Sequence, residues 1–231
     1  MSSVCLCGFF HRGVTESFLA WCLNVQVSQK PKLFWVLAAQ VGACCAAAIA
    51  DPLCTLADTY FISALGTAEL ASMSPNVAIC NVFATLAGSS LPLDSTTLVA
   101  RALVNRSQKG EAAQIISVAF FVSLVIGLVS AASLILAPDA WLTTFGCDPA
   151  VMGLAKDYFF FRMIGVPASL LVLTLQGIYS AALANRTPVI VIALAGLGNV
   201  ILDPILIFGM KMGVAGAAIA TSLTQWGAAG M

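Results

Sequence analysis

Apolar positions dominate this chain as long unbroken runs, and polar residues collect in the short connections between them. Six runs reach the roughly 20 residues that cross a hydrocarbon core. The first extends from about Leu33 to Leu65, longer than one span needs, so it must tilt, kink or project; its Asp51-Pro52 step predicts the kink. The second covers about Leu70–Leu93 and continues as helix to about Val104. The third is Ala112–Ala137, the fourth Val151–Leu183, the fifth Pro188–Phe208, and the sixth starts near Val214. The sixth ends at Met231 without a cap or a basic flank and reads as cut off. The predicted fold class is all-α: a polytopic membrane bundle of six helices, residues 32–231, behind an N-terminal arm of residues 1–31. Short connections predict antiparallel neighbours, and the small residues of "GVAGAAIATS" predict close helix packing.

Composition supports the membrane reading. Of 231 residues, 60% are hydrophobic and 9% charged, against about 25% charged in a soluble domain. Net charge is zero, and no basic patch points to nucleic acid. The positive charges are unevenly placed. Arg12, Lys30, Lys32, Arg101, Arg106, Lys109 and Arg186 fall on the N-terminal arm and alternate connections, with Lys211 alone on the others. That bias predicts a cytoplasmic N-terminus. The eight cysteines form no CxxC pair, and most lie in apolar runs, where they pack as small hydrophobes. The sole histidine, His11, lies outside the bundle.

The informative residues are the polar ones inside the apolar runs. An aspartate at a helix centre costs about 2.5–3.5 kcal/mol on insertion scales. Asn199 and Asp203 are four apart, on one helix face. Pro204 supplies no amide hydrogen to the Val200 carbonyl. Amide, carboxylate and free carbonyl together suit Na⁺ or a carboxylate-bound proton; the plainer reading is an interhelical hydrogen bond with a proline kink. Asp51 and Asp58 are seven apart and face one way. If Asp58 meets Asp203 in a low dielectric, the two cannot both stay ionised cheaply, and a shared proton or an intervening cation relieves them. Otherwise Asp58 is a solvated helix end. Asp94 and Arg101 read as a local ion pair or as snorkelling charges. Arg162 is either an anchor for another helix or a partner for an intramembrane carboxylate.

Four stretches together carry a family resemblance: "DPLCTLADTYFISALGTAELASMSPNVAICNVF", "TTLVARAL", "RMIGVPASLLVLTLQGIYSAALANRTPVIV" and "GNVILDPILIFGMKMGVAGAAIATSLTQW". N-x-x-x-D-P followed by G-x-x-G-A-A-x-A-T is the specific part. From about Lys32 to Met231 the chain resembles the N-terminal lobe of the multidrug and toxic compound extrusion (MATE) family, most like the plant and algal branch near the bacterial DNA-damage-inducible transporters. The resemblance implies two six-helix lobes flanking a substrate cleft, and export of drugs or of organic anions such as citrate in exchange for H⁺ or Na⁺. It implies a cation site at Asp58, Asn199, Asp203 and Thr221, with the Ala217 carbonyl and Tyr158 beside it; Asp51 and Arg162 are secondary candidates on the residue pattern alone. Na⁺ would be held by Asp58, Asn199, Asp203 and Thr221. No cofactor beyond the coupling ion is implied. The implied partners are the bilayer, a small-molecule substrate and a second lobe. Plasma membrane, vacuole and plastid envelope all fit. A non-transporting half-transporter or scaffold is the alternative. An intramembrane aspartyl protease would carry tyrosine-aspartate and G-x-G-D sequences, and a serine hydrolase G-x-S-x-G; the sequence holds none of them.

Overall fold

A computed structural model describes residues 33–88, 90–104, 109–184 and 186–231. The N-terminal arm, with Cys5, Cys7 and His11, lies outside these residues, as do Arg106 and the Asp51 side chain. Every element among the described residues is helical. In chain order they are α1 (Leu33–Ser63), α2 (Thr67–Gly88), α3 (Ser90–Val104), α4 (Lys109–Leu136), α5 (Pro138–Thr144), a 3₁₀ turn (Pro149–Val151), α6 (Met152–Ile164), α7 (Val166–Ala181), α8 (Arg186–Pro204), a π-helical segment (Ile205–Gly209) and α9 (Val214–Gly230).

Among the described residues, Ala112–Leu136 and Arg186–Gly209 are each long and apolar enough to cross a membrane. The predicted fourth span is not one rod. It breaks at Gly165 into α6 and α7, bent by 43°. Pro167, in the first turn of α7, has no amide hydrogen for the Met163 carbonyl. Gly165 leaves space on the inside of the bend, where a Cβ would come within 2.9 Å of the Ser222 hydroxyl. Helix α9 fills that space: Ser222 donates to the Phe161 carbonyl at 2.8 Å and the Trp226 indole to Ile164 at 3.0 Å. The predicted connection "PDAWLTTFGCDPA" also differs from expectation. It folds as α5 and the 3₁₀ turn, seating Leu142 fully in the core and stacking Trp141 edge-on against Phe83. Asp148 caps the turn through the Ala150 amide.

Helix α1 runs through Pro52 without a break in its assigned span. It packs chiefly on α8, which packs in turn on α9; α9 lies along α6 and α7, and α7 is wedged between α3 and α4. The close approaches rest on glycine. A Cβ at Gly177 would strike the Pro92 carbonyl, and one at Gly127 would sit 2.6 Å from Pro167 Cα. Large apolar side chains such as Leu128, Val129, Leu197 and Ile201 point outward, the orientation a lipid environment rewards. Asp94 and Arg101 are both exposed and form no ion pair; the ion pair among the described residues is Lys156–Asp139, at 2.5 Å.

Candidate functional site

Asp58 lies on α1, one turn before the fully buried Ile62. Asn199 and Asp203 lie one turn apart on α8, and both are buried while their neighbours Val200 and Ile201 face out. The i, i+4 spacing therefore aims amide and carboxylate at α1, as helical geometry requires. The Asn199 amide nitrogen donates to Asp58 Oδ1 at 2.7 Å. Asp203 is 0% exposed, and its carboxyl group faces that of Asp58. Two carboxyl groups can bond each other only through a proton that one of them carries. Neither Asp203 oxygen has a protein donor, and Asn199 Oδ1 is also unpartnered. Three buried oxygens on one face of α8 thus lack a donor among the described residues. Leaving such groups unmet costs about 1–3 kcal/mol each, and native cores rarely do so without a reason.

The remaining expected members lie around this centre. Thr221 donates its hydroxyl to the Ala217 carbonyl at 2.9 Å, so these two are bound to each other within α9. Ala217 shares a buried cluster with Tyr158 and Ile62. Tyr158 lies within electrostatic range of Asp58 and Asp203. Arg162, one turn after Tyr158 on α6, donates to Gln225 Oε1 on α9 at 2.9 Å, within electrostatic range of Tyr158. Its charge reaches Asp58 without forming a direct ion pair. Arg162 thus ties α6 to α9, and among the described residues it forms no ion pair with an intramembrane carboxylate.

Beside this cluster lies a cavity of about 590 Å³, walled by α1, α2, α4 and α6–α9. Asn199 and Thr221 line it, whereas Asp58 and Asp203 do not. Two thiols, Cys54 and Cys80, and the amides of Asn81, Gln176 and Gln225 also line it. The sequence reading passed over these residues. Gln225 had a visible signal, lying one turn beyond Thr221 in the sixth apolar run. The thiols had none, because cysteine is an ordinary packing residue in such runs.

Comparison with known proteins identifies the family and the fold. The MatE family model matches residues 43–205. Protein DETOXIFICATION 43 of Arabidopsis thaliana is 28% identical over 234 residues, covering 77% of this chain and 44% of that protein. DNA damage-inducible protein F of Escherichia coli (strain K12) is 27% identical over 226 residues, 97% of this chain and 46% of that protein. A crystal structure of MATE in the bent conformation superposes with a TM-score of 0.75 over 82% of this chain and 42% of that one; at 23% identity this likeness speaks for the fold. The chain spans less than half the length of these relatives. The family match covers more than half of the 231 residues, and the chain belongs to the MatE family.

Proposed function

We propose, from the premise of MatE membership, that this chain is the ion-coupling half of a secondary exporter that exchanges a small molecule for H⁺ or Na⁺. The coupling ion occupies the acid pair Asp58/Asp203, steadied by Asn199, with Thr221, the Ala217 carbonyl and Tyr158 around it. The observation that carries this reading is Asp203: a fully buried carboxyl group that faces a second carboxyl group and, among the described residues, has no donor for either oxygen. An arriving proton or Na⁺ supplies the missing positive charge, and its departure leaves two facing acids in a low dielectric. Occupancy therefore changes the energy with which α1 and α8 pack together. Pro52, with no amide hydrogen for the carbonyl four residues back, is the point at which α1 yields. Its movement reshapes the adjoining cavity and releases substrate outward, drugs and organic anions such as citrate being the substrate classes in view. The N-terminal arm lies on the cytoplasmic side, as the seven-to-one bias of basic residues favours.

The test is transport in vesicles carrying the full-length natural protein under an imposed pH or Na⁺ gradient. Asp203→Asn and Asp58→Asn each abolish gradient-driven export while membrane insertion is unchanged. Gradient-driven export at the wild-type rate by both variants removes the acid pair from the mechanism. Export by neither the variants nor the wild type favours the scaffold reading.

A further inference from the structure

Arg162 is an unused charge. It sits in the last turn of α6, half-buried, and is the one charged side chain among the described residues that line the 590 Å³ cavity. Among the described residues no carboxylate lies within 4.0 Å of it, and its hydrogen-bond partner is the neutral Gln225. A guanidinium has five N–H donors in a rigid fork, and the bonds described leave several open. The acid pair does not cancel this charge from the cavity side, because Asn199 and Thr221 form that stretch of wall and the two aspartates lie behind it. A ligand in the cavity therefore meets a cation and amides at one place and apolar surface such as Phe83, Leu134 and Leu170 elsewhere. The volume falls in the range of pockets that enclose a drug-sized molecule.

We propose that this cavity recognises an organic monoanion with an apolar body, its carboxylate seated on the Arg162 fork beside Gln225. The proposal rests on the transport reading above and narrows its substrate class. One guanidinium matches one carboxylate, so a polycarboxylate such as citrate would bring unmatched charge into an apolar space. An organic cation would meet like charge. Gln225 holds the guanidinium in place and cannot neutralise it, which keeps the charge available to a ligand.

Equilibrium dialysis of the protein in lipid nanodiscs, against empty nanodiscs, tests this with three probes of one shape: naphthalene-2-carboxylate, its carboxamide, and naphthalen-2-ylmethylammonium. Wild type binds the carboxylate at least about tenfold tighter than the amide, as a charge-assisted fork contact gives, and binds the ammonium weakest. Arg162→Gln brings the carboxylate to within about twofold of the amide; Arg162→Lys keeps part of the preference. Equal binding of the three probes by wild type, or an unchanged preference in Arg162→Gln, overturns the proposal. Binding and gradient-driven export are read separately on the wild type: anion-selective binding without gradient-driven export overturns the transport reading alone, and export without anion-selective binding overturns the anion site alone. Should Arg162→Gln fail to fold, the wild type carries its own reporter. Cys80 lines the cavity within electrostatic range of Arg162. Relative to a free thiol, an anionic methanethiosulfonate modifies Cys80 faster than a cationic one, read by peptide mass spectrometry. A faster cationic reagent sinks the idea.

Discussion

Where α7 meets α3 and α4, polar atoms are paired off. Ser123 and Thr174 share a hydrogen bond of 2.5 Å, Thr174 also donates to the Leu170 carbonyl, and Thr96 donates to the carbonyls of Pro92 and Gly177. Where α1 meets α8, Asn199 and Asp203 present three buried oxygens that nothing among the described residues donates to. Both seams cross the same apolar bundle and are comparably buried. The first uses hydroxyls, which return their own proton to a carbonyl one turn back and expose no net charge. The second uses carboxyl groups, which have no such local outlet. A polar group that satisfies itself holds helices together; one that cannot is waiting for something from outside.

The largest effect should come from the paired seam. Gly177→Val drives side-chain atoms into the Pro92 backbone and costs about 3 kcal/mol, or prevents folding, since a packed backbone has little room to give. Thermal unfolding in detergent reads this, and a wild-type melting temperature would show that the seam is looser than described. Asp203→Asn does the reverse. It removes an undonated carboxyl group and offers an amide to Asp58, so stability at neutral pH rises by about 1–3 kcal/mol, while the proposed ion coupling is lost. A variant that melts lower would mean that Asp203 finds support in the fold, and the contrast between the seams would fail. A double-mutant cycle on Ser123→Ala and Thr174→Val should give a coupling near 0.6 kcal/mol, the usual worth of an interhelical hydroxyl bond in a membrane protein. Smallest of all is Lys156→Gln. Its ion pair with Asp139 is substantially exposed, so the change is about 0.2–1 kcal/mol and fades with added salt.

Much of this contrast was legible in the sequence. The spacing of Asn199 and Asp203 put both on one helix face, and the apolar run around them required that face to point inward. That Asp58 is the residue they meet rests on the packing of α1 against α8, which no local pattern encodes; the family resemblance supplied that pairing. The bend at Gly165 escaped because the run from Val151 to Leu183 is apolar throughout, and periodicity does not register a change of direction. Gly165 and Pro167 were visible, but their meaning depends on α9 arriving with Ser222 and Gln225 to fill the inside of the corner. Helix α5 escaped for the opposite reason. At seven residues it is too short for a period, and it is held by Leu142 and Trp141 resting on distant helices. Arg162 remained undecided because its neighbours along the chain are not its partners: Gln225 lies 63 residues away.

The coil from Ile205 to Gly209 has a consequence of its own. Its Met210 amide reaches back five residues to the Ile205 carbonyl, so the ring is wider by one unit than the winding before it. The backbone of Leu206 and Ile207 comes within 3.0 Å of where a Cβ on Gly216 would stand. Excising any single residue here would tighten the ring and rotate all that follows by about 100°. What this stretch must conserve is therefore its tally rather than its lettering: exchanges among bulky aliphatics should pass, and a one-codon deletion should not.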